Sequence, residues 1–194
     1  MTTIIKDIIK KRLPGPRQPI IKEISQRWSP RFYSAKQIPL NHLKIIFEAA
    51  RFAPSAYNHQ PWYFYYAKKG SDSYKKLFST LNDNNRLWAV SAPILILACY
   101  ETKNENGKNS FSLYDLGASV ISLILQTQSL GYFARQMGLF DKDKTKKIIS
   151  LKKNLEPFII IALGKIGDYR KAPKVIVALD LDRRPRKTDI FKEI

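Results

Sequence analysis

Two guanidiniums and a hydroxyl fall within five residues at Arg27-Trp28-Ser29-Pro30-Arg31, so they can grip one phosphorylated, hydrogen-bonding ligand from one side. A second run, Ala53-Pro54-Ser55-Ala56-Tyr57-Asn58-His59-Gln60-Pro61-Trp62, sets Ser55, Asn58 and Gln60 between two prolines, which makes a stiff shelf of donors and acceptors. A third, Leu130-Gly131-Tyr132-Phe133-Ala134-Arg135-Gln136-Met137-Gly138-Leu139-Phe140-Asp141, follows a long apolar helix opened by Tyr114-Asp115-Leu116-Gly117-Ala118. These three segments carry groups suited to an anion and a planar ring.

Other chemistries lack their parts. No Gly-x-Gly-x-x-Gly follows a strand and no Walker-type Gly/Lys loop occurs, so neither a Rossmann nucleotide cradle nor a P-loop is present. His42 and His59 with the one cysteine, Cys99, cannot assemble a typical zinc set. No Gly-x-Ser-x-Gly elbow presents a serine nucleophile. The chain has 194 residues, 44% apolar and 26% charged, which suits one soluble globular domain with a sizeable core. Its formal charge of +18 is spread over residues 1–36, 141–153 and 165–194, which spells a Lys-rich surface more than one docking patch.

The elements that must position these groups follow from periodicity. Ile5, Ile8, Ile9 and Leu13 make a short amphipathic arm, residues 1–18, ahead of a domain over 19–194. Pro19 opens a helix with Ile21, Ile24 and Trp28 on one face, and Leu43, Ile46, Phe47 and Ala50 mark a second that Pro54 closes. Trp62 to Tyr66 reads as a strand. A helix follows, bearing Tyr74, Leu77, Phe78 and Leu81 and interrupted by Asn82-Asp83-Asn84-Asn85. Ile94 to Tyr100 is a fully buried strand, Glu101 to Asn109 a polar loop, and about Phe111 to Leu130 a long buried helix. A loop through Gly138, a Lys-rich helix from Asp141, a strand over Phe158 to Leu163 and a last strand at Val175 to Leu179 complete an α+β domain, one sheet covered by helices.

The sequence over about residues 20–190 resembles the nitroreductase family of FMN enzymes. Arg27 to Arg31 matches that family's Arg-x-Ser-x-Arg pattern, and Ala53 to Trp62 matches its Ala-Pro-Ser-x-x-Asn-x-Gln-Pro-Trp. The resemblance implies a mainly antiparallel central sheet in a homodimer whose C-terminal segment reaches the partner. It implies FMN held by Arg27, Trp28, Ser29, Arg31, Asn85, Arg86, Met137, Gly138, Leu139, Arg184 and Arg186, with Pro54, Ser55, Ala56 and Asn58 arriving from the other subunit. By the same match the backbone near Gly138 faces the flavin N5, Arg86 sits near the pyrimidine end, and Tyr57, His59 and Phe140 shape the substrate side.

The activity so implied is NAD(P)H-dependent reduction of a small-molecule electron acceptor, nitroaromatic or quinone, in two half-reactions at one flavin. Dehalogenating and ring-oxidising members of the family leave other redox chemistry open, and fold analogy does not choose among them. Arg135-Gln136-Met137 departs from what relatives usually carry there, as does the arm. The rival from another class is a basic binding module for nucleic acid or anionic membrane, resting on charge alone. No membrane span, no export signal and no nucleic-acid partner are expected, and a lone buried thiol fits a reducing cytoplasm.

Overall fold

The computed structural model describes residues 16, 18–105, 107–182, 186–187 and 190–193. The expected arm, residues 1–18, lies almost wholly outside them, and so does Arg184. In chain order the elements are α1 (Lys22–Ser25), α2 (Leu40–Arg51), a 3-10 turn (Ala56–Asn58), β1 (Trp62–Lys68), α3 (Asp72–Phe78), α4 (Asp83–Ala89) and β2 (Ile94–Glu101). There follow a small hairpin of β3 (Lys103–Asn104) and β4 (Gly107–Lys108), α5 (Ser112–Ser129), β5 (Phe133–Met137), α6 (Lys142–Ile149), β6 (Leu155–Gly164) and α7 (Lys174–Leu181).

β2 dictates the architecture. Ile94 to Cys99 is buried at every position, so both faces of this strand need cover. It pairs antiparallel with β1 on one side and β6 on the other, and β6 pairs antiparallel with β5, giving the order β1-β2-β6-β5. Leu95, Leu97 and Cys99 pack with Tyr74 and Leu77 of α3, Trp88 of α4 and Ile176 of α7. Ile94, Ile96 and Ala98 pack with Leu43 and Ile46 of α2 and Leu116, Val120 and Leu123 of α5. The result is the expected α+β layering with an antiparallel sheet. Among the described residues no helix is long and apolar enough to cross a membrane.

Several elements differ from expectation for identifiable reasons. The first helix is one turn, Lys22–Ser25, and Trp28 lies beyond it. The helix bearing Tyr74 stops at Phe78, while Leu81 bridges to Phe140. The polar run Asn82 to Asn85 starts a helix instead of merely breaking one, because the Asn82 side chain accepts from the Asn85 N–H as an N-cap. The polar loop over 101–109 contains the β3–β4 hairpin.

Two corrections bear on function. The expected loop before Gly138 is strand β5, paired along its length with β6. Val175 to Leu179 is helical rather than extended: a helix puts Ile176 and Asp180 on one buried face, four residues apart, and that tertiary fit outweighs the strand preference of the two valines.

Gly164 ends β6 where a Cβ would stand 2.6 Å from Pro93 Cδ and 3.0 Å from Tyr33 Cδ1. The proline ring cannot swing aside. Gly164→Ala should therefore cost about 1–3 kcal/mol of stability by overpacking, seen as a lower denaturant midpoint at unchanged m-value.

Candidate functional site

The arginine segment sits at the β5 corner of the sheet. Arg27 Nη1 donates to Ser29 Oγ at 3.3 Å, and among the described residues Arg27 makes no ion pair. Burial, and then the like charge of Arg186, hold its guanidinium below the usual pKa. Trp28 is buried edge-on against Phe133 of β5. Arg31 is differently employed. Its Nη1 donates to Asp180 Oδ1 at 2.9 Å and to the Leu179 carbonyl at 3.0 Å, while its backbone N–H donates to Asp180 Oδ2. The Tyr169 hydroxyl also bonds Asp180 Oδ2. Arg31 thus ties α7 to the motif, its side chain 21% exposed.

The neighbouring segments join the same corner. Arg135 Nη1 donates to the Ser29 carbonyl at 2.6 Å and its guanidinium lies 5.2 Å from the Trp88 ring. Asn85 Nδ2 donates to the Leu139 carbonyl at 3.1 Å, which draws α4 onto the chain after β5. A cleft of about 460 Å³ opens there, lined by Asn82, Arg86, Gly138, Leu139, Phe140 and Lys144 among others. Arg86 is paired with Asp83 three residues earlier. A Cβ placed on Gly138 would meet nothing within 4 Å, so its backbone faces open space. Met137 is buried and Leu139 exposed.

The shelf sits elsewhere. Asn58 N–H donates to the Ser55 carbonyl, Gln60 N–H donates to Ser55 Oγ at 3.0 Å, and Gln60 Nε2 donates to the Asn58 carbonyl at 3.1 Å. Tyr57, Asn58 and Gln60 all have positive φ, at 51°, 57° and 49°, costly for Tyr and Gln and tolerated by Asn. Pro54 is exposed, Ser55 and Ala56 half-buried, and the Tyr57 ring is 88% exposed with its centre 5.8 Å from that of His59. The Ala56 N–H points at both carboxylate oxygens of buried Asp115, 3.3 Å from each.

These two groups occupy opposite corners of one sheet. The shelf feeds Trp62, opposite Tyr100, on edge strand β1, whereas Arg135 on the far edge lines up through Ala162 and Leu95 with Ala67, at the other end of β1. With strands spaced by about 4.8 Å and a rise of about 3.4 Å per residue, the corners lie roughly 20 Å apart. One chain therefore gathers Arg27, Trp28, Ser29, Arg31, Asn85, Arg86, Met137, Gly138, Leu139, Phe140 and Arg186 on one side, and Pro54 through His59 on the other. Arg184 falls outside the described residues.

Some residues that build these corners were not singled out by sequence reasoning. Arg135 was noted only as a departure, Asp180 lay one residue past a supposed strand, and Asp115 was quoted without a role. The signal for Asp115 was available: with Ser112 and Ser119 it follows the i, i+3, i+7 spacing of one helical face. Ser112 Oγ donates to the Glu101 carbonyl and Ser119 Oγ to the Ala50 carbonyl, so that face fixes the ends of β2 and α2 as well as the shelf.

A family model described as the nitroreductase family matches residues 24–165. A crystal structure described as an oxidoreductase containing FMN is 30% identical, with a TM-score of 0.84 over 92% of this chain and 93% of that one. A nitroreductase family protein from Clostridium novyi NT superposes with a TM-score of 0.68 at 23% identity, over 80% of this chain and 89% of its own. A protein of Archaeoglobus fulgidus provisionally named NADH dehydrogenase/NAD(P)H nitroreductase is 27% identical over 154 residues, 77% of this chain and 87% of that protein.

Replacing Asp115 by Ala should release the shelf. The expected loss is about 1 kcal/mol from the half-buried N–H left without its acceptor, together with faster limited proteolysis between Ser55 and Gln60.

Proposed function

This chain belongs to the nitroreductase family, and from that premise we propose that it acts as a homodimer, each of whose two FMN sites joins the arginine corner of one chain to the shelf of the other. At the coarser level it is an FMN-dependent oxidoreductase drawing on NAD(P)H, in keeping with the family match and the names of its relatives. The observation that carries the reading is the charge at the β5 corner. Arg27, Arg31, Arg135 and Arg186 converge there, and Asp180 is the carboxylate paired among them. Half-buried cations that outnumber their counter-charges are favoured by a further anion, and the FMN phosphate is one that would complete this corner.

The residues present fit that cofactor. Arg27 with Ser29 and the open side of Arg31, joined by Arg184 and Arg186, would hold the phosphate. Asn85, Arg86 and the Met137–Leu139 backbone would border the ring, the Gly138 N–H standing as a donor where negative charge develops on reduction. When bound, FMN would supply the redox chemistry, hydride acceptance from NAD(P)H in one half-reaction and reduction of a nitroaromatic, quinone or related acceptor in the other. Pro54, Ser55, Ala56 and Asn58 of the second chain close the site over the ring. Tyr57 and His59 then come to lie opposite Phe140 and shape the acceptor's pocket.

The surface supports a second copy. Around the shelf and along α2 and α5, Phe52, Phe111, Leu113, Tyr114 and Ile121 are exposed, Tyr114 at 80%, beside a groove of about 520 Å³ lined by Ile45, Ala49, Phe52 and Gln126. Exposed apolar residues in this number are in keeping with an interface. The spread of positive charge gives a nucleic-acid or membrane module no comparable structural feature.

Purified protein should be yellow, have the mass of a dimer, and bleach with NADH or NADPH until a nitroaromatic or quinone restores the colour. Colourless protein that ignores added FMN would end the reading. Arg27→Ala should weaken FMN binding by about ten- to a hundredfold, the loss of one charge-assisted contact, measured by quenching of flavin fluorescence.

A further inference from the structure

We propose that Arg135 is a positioning residue for the cofactor: one side chain that fixes three cofactor-bordering segments against one another and stands a positive charge behind the ring. The inference rests on the FMN reading and gives a role to an arginine of that corner which the reading does not place against the phosphate or the ring.

Phe133, Arg135 and Met137 share one face of β5, alternating with positions turned the other way. Phe133 meets Trp28 with ring centres 6.2 Å apart, Met137 is buried in the same core, and between them Arg135 donates to the Ser29 carbonyl while lying over Trp88. Ser29 belongs to the arginine segment and Trp88 to the α4 helix of Asn85 and Arg86. Two residues beyond Arg135 the strand gives way to the Gly138 backbone. A single guanidinium thus spans all three segments with a directional bond, a stacked face and its own backbone.

Packing alone does not call for arginine here. Both neighbours on this face of the strand are apolar, and an apolar side chain could lie against Trp88 without desolvating a charge. Arg135 carries a charge instead, and burial first and then the like charge of Arg31 hold its pKa below the usual value, against the opposing influence of Tyr33 and Asp180. Its guanidinium meets a carbonyl and a π face, which offer partial negative charge, while the Asp180 carboxylate is hydrogen-bonded by Arg31. The arrangement becomes favourable when a ligand that gains negative charge occupies the adjoining cleft, as a flavin does on two-electron reduction by NAD(P)H. A planar five-donor fork is the group that can stack and donate at once; an ammonium cannot.

The test compares wild type, Arg135→Met and Arg135→Lys, each loaded with FMN, by flavin affinity and by the midpoint potential of the bound flavin. Arg135→Met should weaken oxidised FMN about tenfold. It should weaken the reduced form by about a further tenfold, read as a fall of about 30 mV in potential. Arg135→Lys should keep the wild-type potential, since the charge remains, but lose several-fold in affinity, since the fork does not. An unchanged potential in a folded Arg135→Met would reduce Arg135 to packing and overturn the proposal. If the methionine variant does not fold, the lysine variant decides, and wild-type affinity there would equally overturn it. Wild-type protein that takes up no FMN would defeat the functional reading, and this inference with it.

Discussion

The width of a four-stranded sheet is the constraint on which the rest of the structure depends. The arginine cluster stands at one corner and the proline-framed shelf at the diagonal one, farther apart than any side chain reaches. Neither corner makes a site by itself. The first offers cations around a shallow cleft; the second offers hydrogen-bonding groups on a strained, outward-facing loop. In the proposed homodimer a second copy would bring its shelf to the first copy's arginines and enclose the site, and the exposed apolar residues of α2 and α5 would supply the surface for it.

Each corner is held by one buried carboxylate. Asp180 receives Arg31, the Arg31 backbone and Tyr169, and so holds α7 against the motif. Asp115, in the first turn of α5, faces the Ala56 N–H and carries the shelf. Both are buried, where a polar group is costly unless it is hydrogen-bonded. Their removal would loosen a loop or a helix and leave the sheet intact, which separates the energetics of the scaffold from those of the site. The scaffold itself is stabilised by the two apolar layers on either face of β2.

Much of this was legible in the sequence because the informative residues are local. Ile94 to Cys99 announces a strand covered on both faces, Leu43 to Ala50 a packed helix, and the two motifs are short enough to be read as units. What was hidden depends on partners distant in the chain. β5 reads as a loop because Arg135 interrupts its inward-facing positions, and only Ser29 and Trp88, from other segments, make an inward arginine tolerable. Val175 to Leu179 reads as a strand because its helical face is defined by Asp180, whose partner Arg31 lies 149 positions away. Asn82 reads as a breaker, since caps and breaks use the same residues. The separation of arginine corner from shelf could not be read at all, because it follows from strand order.

The most direct test of a site shared between chains is complementation. Arg27→Ala removes an arginine-corner contact and Asn58→Ala a shelf contact, and each homodimer alone should bind little FMN. Co-expressed with two different tags and isolated as the mixed dimer, the pair should regain one intact site, about half the flavin content of wild type per dimer, with NAD(P)H-dependent bleaching of that flavin. Mixed dimers as empty as either parent would contradict the account, because the two residues would then serve one site within one chain.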